Sequence, residues 1–149
     1  MAVASARANS GTRYVPVMLL TLYLLFRLVI GGVVDTPIQP CQCVVVEYQG
    51  ATALKCAVPD QVACYHEWRP GSLLVNGHNP GVFSRLDEVE VGDAMVVTID
   101  GVTTTYYVTT KEVVRRDDHQ RYTELANVPG VLIVTCYGEH HRLLVKGEI

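Results

Sequence analysis

Ala94-Met-Val-Val-Thr-Ile99 and Thr103-Thr-Thr-Tyr-Tyr-Val-Thr109 are dense in β-branched and aromatic residues, and Asp100-Gly101 lies between them. An Asp-Gly step supplies the positive backbone angles of a tight primed turn, so this stretch is committed to an antiparallel hairpin. Four more segments carry the same composition: Cys43–Tyr48, Ser72–Asn76, Val131–Thr135 and Arg142–Val145. Tyr137-Gly138-Glu139-His140 is a short connection of the same kind between the last two. Only Phe83–Glu90 offers a helical turn, which Gly92 would stop, and Arg115–Gly130 is a polar connection ending in Pro129-Gly130. Short strands joined by tight turns favour a closed or nearly closed barrel, and a connection that long is more often functional than inert.

Ahead of these strands, Tyr14–Val34 is a 21-residue run with Arg27 as its single charge. As a helix it would reach about 31 Å, the thickness of a bilayer core. Arg7 and Arg13 precede it and Asp35 follows it. The positive-inside bias then predicts a cytoplasmic segment 1–13, a transmembrane signal-anchor 14–34 and an extracytoplasmic domain 35–149. A cleavable signal peptide is the rival reading, but the run is long and no small-x-small site follows it.

Residues 35–149 carry 9 basic and 15 acidic side chains, a formal charge of −6. Nucleic acid is excluded as a partner, because phosphate neutralisation needs clustered lysine and arginine. The five cysteines divide into Cys41, Cys43, Cys56 and Cys64 early on and Cys136 alone near the end. Four plus one suggests up to two disulfides and one free thiol, with the pairing open. Isolated buried thiols are the plainer alternative. A four-thiolate zinc site would need Cys-x2-4-Cys spacing, which is absent, so neither a metal nor a cofactor is expected.

Cys136 ends an apolar strand and enters a tight turn, where a thiol can be supported yet accessible. A useful thiolate needs nearby positive charge, and Arg142 could supply it across a hairpin. That guanidinium could equally hold the oxyanion of a tetrahedral intermediate. His78, in Asn76-Gly-His-Asn-Pro-Gly81, also stands where a β-run stops, and a histidine near a thiol can pass protons to and from an amine. Taken singly, each has a plain structural reading: a buried cysteine, a surface arginine, a loop histidine bonded to backbone. His140 and His141 lie closer to Cys136 in sequence and compete for the acid/base role.

Together these segments resemble the sortases, membrane-anchored cysteine transpeptidases of the bacterial cell envelope. Asn76-Gly-His-Asn-Pro-Gly-Val-Phe-Ser-Arg-Leu86 resembles the family's histidine segment, and Val91-Gly-Asp93 its Gly-Asp before the next strand. Val131-Leu-Ile-Val-Thr-Cys136 is similar to the Thr-Leu-x-Thr-Cys strand, with Leu132 where the first threonine is common. Tyr137-Gly138 and His141-Arg-Leu-Leu-Val-Lys-Gly147 resemble pilus-type members. The resemblance runs from about Val62 to the end. It implies an eight-stranded β-barrel with Cys136 as nucleophile, His78 as acid/base, Arg142 as oxyanion or carbonyl stabiliser and Thr135 at the substrate. It implies cleavage of a Leu-Pro-x-Thr-Gly-type sorting signal on surface or pilin proteins, through a thioester. An amine of a peptidoglycan precursor or a pilin lysine would then take the acyl group. Hydrolysis by a membrane-anchored endopeptidase is the nearest alternative, and a non-catalytic envelope barrel that binds a partner is another. Arg142 follows Cys136 more closely than is usual, which reduces the intervening loop to a turn. The Asp-Pro-aromatic lid of many pilus-type sortases is absent from residues 35–70, which implies an open site.

Overall fold

The computed structural model describes residues 25–48 and 51–149. Its strands are β1 (Phe26–Ile30), β2 (Val34–Pro40), β3 (Gln42–Tyr48), β4 (Ala51–Ala57), β5 (Ala63–Arg69), β6 (Ser72–Asn76), β7 (Ala94–Ile99), β8 (Val102–Arg115), β9 (Gly130–Tyr137) and β10 (His141–Glu148). Among the described residues, helix α1 spans His119–Ala126 and a 3-10 turn covers Leu86–Glu88. Eight strands close a barrel in the order β1-β2-β5-β6-β9-β10-β8-β7, while β3 and β4 form a separate two-stranded hairpin.

Alternation along the strands decides what faces inward. Leu28, Ile30, Val75, Met95, Val97, Val131, Ile133, Leu143 and Val145 pack with Phe83 and Leu86 in the barrel interior. The opposite parity on β6, β9 and β10 is also apolar. Leu74, Leu132, Val134 and Leu144 pack outside the barrel against Leu125 and Ala126 of α1. These strands are therefore buried on both faces, which explains their unbroken apolar runs.

The hairpin read from Asp100-Gly101 is present as β7–β8, with Ile99 opposite Val102. The apolar run before residue 35 behaves differently from the expected anchor. Phe26–Ile30 is a barrel strand paired with both β2 and β7, and Val34 begins β2. The boundary expected between 34 and 35 thus falls inside a barrel hairpin. Gly31 and Gly32, with φ of 54° and 71°, make the turn that a continuous helix would have had to bridge. Arg27 gains a partner on the neighbouring strand, its Nε donating to Asp35 Oδ1 at 2.7 Å. A charge costly in lipid is thereby solvated by a carboxylate. The rest of the expected anchor, Tyr14–Leu24, and the segment 1–13 lie outside the described residues. Among the described residues no helix is long and apolar enough to cross a membrane.

Sequence reading also missed α1. Asp118 caps it by accepting from the Arg121 backbone N–H at 3.1 Å, and Tyr122, Leu125 and Ala126 recur at the spacing of one helical face.

Candidate active site

The strand order brings β6, β9 and β10 side by side, and period two puts alternate residues on their outer face. On β6 that face carries Leu74 and Asn76; on β9, Leu132 and Val134; on β10, Leu144. Extending each series by one step reaches His78, Cys136 and Arg142. The pairing is in register: Asn76 lies opposite Val134 in the parallel β6–β9 pair, and Cys136 opposite Arg142 in the β9–β10 hairpin.

Cys136 is the one free cysteine, and it is half-buried. Arg142 Nη1 donates to Cys136 Sγ at 3.2 Å and to the His141 carbonyl at 3.5 Å. The short turn after β9 therefore positions the cation against the thiol rather than separating them.

His78 is held from the other side. Its Nε2 lies 3.0 Å from the Val58 carbonyl and 3.8 Å from Asp60 Oδ1. A carbonyl only accepts, so Nε2 is the donor in this contact and the ring is anchored through that nitrogen. Gly77 must be glycine here: a Cβ would stand 2.4 Å from the ring of the fully buried Phe83. His140 and His141 are exposed and line a separate recess with Arg115, Arg116, Asp117 and His119.

Thr135 has the inward parity. It is 2% exposed, and its hydroxyl donates to the Gly77 carbonyl at 2.7 Å. The side chain ties the end of β6 to β9, one residue before both His78 and Cys136.

A groove of about 770 Å³ runs across this face. Its floor includes Leu74, Asn76 and Val134, with Arg142 at the site. Arg115, Arg116, Tyr122 and Thr123 of the 115–130 connection form one wall. Burial pushes the Tyr122 hydroxyl up to about 12, against the smaller opposing pull of Arg142. The opposite wall, unanticipated, is Cys56, Val58, His66 and Trp68. It comes from the β3–β4 hairpin and from β5. Two disulfides fix it: Cys43–Cys56 across the hairpin, and Cys41–Cys64 from the hairpin's start to β5. The count of two disulfides and one free thiol agrees with the sequence reading. The strand alternation Cys64, His66, Trp68 was the available signal for that wall. Burial lowers the His66 pKa, and both of its ring nitrogens are buried without a hydrogen-bond partner.

Among known protein families, the model of the Sortase domain matches residues 39–149. The chain is 26% identical over 107 residues to sortase D of Bacillus subtilis, covering 72% of this chain and 54% of that protein. It thus spans about half the length of that curated relative. Among solved structures it is similar to sortase C1 from Streptococcus agalactiae, with a TM-score of 0.60 and 24% identity over 83% of this chain and 65% of the other. A Clostridium perfringens sortase D5 transpeptidase gives a TM-score of 0.59 at 22% identity, over 83% of this chain and 77% of the other. At these identities the structural matches establish a shared fold.

Proposed function

Since the chain belongs to the sortase family, we propose that it is a cysteine transpeptidase acting on sorting-type peptides outside the cytoplasm. The observation that carries the proposal is the 3.2 Å contact between Arg142 and the Cys136 sulfur, at the end of a peptide-sized groove. In this reading the Cys136 thiolate attacks the threonine carbonyl of a Leu-Pro-x-Thr-Gly-type signal. Negative charge develops on the carbonyl oxygen beside the Arg142 fork, which can bond it while still touching sulfur. The C–N bond to glycine breaks as His78, carrying the proton it took from the Cys136 thiol, gives that proton to the leaving amine, leaving a thioester on Cys136. An incoming amine then attacks the thioester, His78 takes its proton, and the thiolate returns. The amine belongs to a peptidoglycan precursor or to a lysine of a pilin. Two disulfides in a chain of this size fit an oxidising compartment, which supports the extracytoplasmic side of the membrane as the working location.

The test is intact-mass spectrometry of the full chain incubated with a library of sorting-type peptides, followed by hydroxylamine. An acyl adduct that is absent from Cys136→Ala and released by hydroxylamine is expected. Adding a short glycine peptide should convert the adduct to a ligated product. Free acid as the sole product would make the enzyme an endopeptidase. No adduct, with a Cys136 that also resists alkylation at neutral pH, would make the barrel a binding module.

A further inference from the structure

The two disulfides and the orphaned histidine occupy one place. Cys41, Cys43, Cys56 and His66 present their ligand atoms within 4.8 Å of one another. All four are half-buried, and the His66 nitrogens have no hydrogen-bond partner among the described residues. A tetrahedral zinc ion with thiolates at about 2.3 Å and imidazole at about 2.0 Å brings its donors to roughly 3.5–3.8 Å from one another, so small side-chain movements would suffice. The elements are already pinned for it. Cys43 and Cys56 are directly opposed in the β3–β4 register, and Cys41 is held to β5 by its backbone N–H on the Tyr65 carbonyl at 2.8 Å. Cys64 is not one of the four, although it is bonded to Cys41 in the oxidised chain. Its sulfur lies 3.9 Å from the Ala57 carbonyl, an acceptor for the thiol that reduction would free.

We propose that the reduced protein holds one tetrahedral, thiophilic divalent cation of the zinc type through Cys41, Cys43, Cys56 and His66. The disulfide and metal states exclude each other, because a sulfur in a disulfide has no thiolate to give. Each disulfide takes two electrons from the reductant and two protons to yield two thiols; a dithiol supplies both and becomes a disulfide, whereas a phosphine becomes its oxide and the protons come from water. Metal binding then releases the protons of Cys41, Cys43 and Cys56, while Cys64 keeps its own. Sequence spacing does not announce the site, because Cys-x-Cys is contracted and the fourth ligand comes from another strand.

The test uses the full chain in a Cys136→Ser background, which removes the fifth thiol. It is reduced with a phosphine without oxygen and titrated with Co²⁺ alone. Expected is one Co²⁺ per chain, with visible bands of tetrahedral intensity, near-ultraviolet thiolate charge transfer and displacement by Zn²⁺. Cys43→Ser and His66→Ala should each weaken binding by about 100-fold or more, beyond what loss of a supporting partner costs. Cys64→Ser should bind within a few-fold of the parent, and the oxidised chain should not bind. A folded reduced chain without the tetrahedral spectrum overturns the proposal. So does a spectrum that depends on Cys64 and ignores His66. If reduction alone unfolds the barrel by circular dichroism, recovery of the fold on adding Zn²⁺ supports the site, and failure to recover overturns it.

Discussion

At Arg142 the physics is geometric before it is electrostatic. A lysine would keep the charge but present a single point where the guanidinium presents a fork. Arg142→Lys should therefore lose peptide cleavage on the order of 100-fold, measured as kcat/KM, with thermal stability little changed. Near-full activity would remove Arg142 from the oxyanion role. Thr135→Val keeps the shape of the side chain and removes only the donor to Gly77. It should cost about 1–3 kcal/mol in denaturant unfolding, because the buried Gly77 carbonyl loses its bond to the hydroxyl. Tyr122 has a pH signature. Its folded-state value of about 12 lies above the ordinary 10, so its contribution is complete below pH 10 and is lost as pH rises towards 12. The share at stake is on the order of a few kcal/mol. Lys146, whose pKa burial lowers, acts in the opposite sense in alkaline solution. A comparison of wild type with Tyr122→Phe cancels it: only the wild type should lose the Tyr122 share between pH 10 and 12.

Among the elements, those with strong local chemistry were legible and those built by their partners were not. Strands β6, β7, β8, β9 and β10 announced themselves through β-branched runs and the Asp100-Gly101 turn. Cys136, His78 and Arg142 were legible as candidates because each ends or begins such a run. Strand β1 read as lipid-facing because a barrel interior and a bilayer select the same side chains. Only the paired glycines 31 and 32 and the Arg27–Asp35 pair distinguish the two. The β5 wall was obscure because Cys64, His66 and Trp68 become one surface only when the hairpin lies against it. Helix α1 was a readable signal passed over. Asp118→Ala should destabilise the fold by about 1 kcal/mol in thermal or denaturant melts, while Asp118→Asn, an equally good cap, should not.

For the molecule as a whole, closure depends on β1. It bonds β2 on one edge and β7 on the other, so removing it opens the cylinder and exposes two strand edges. A chain cut to residues 35–149, the domain first suggested by the apolar pattern, should aggregate or lack a cooperative unfolding transition. A chain beginning at Leu25 should keep one. Equal melting of the two would show that β1 is dispensable.

That same closure fixes a timetable. Phe26 pairs with Ile99 and Ser72 with Gly130, contacts between residues far apart in sequence that repay loop entropy only after long segments are ordered. Strand β1 can dock on its second neighbour only once β7 is available, and the thiol meets its guanidinium only after β10 has joined β9. Folding should accordingly run on the millisecond-to-second scale of non-local β proteins, with an apolar strand edge open in the interval and activity arriving last.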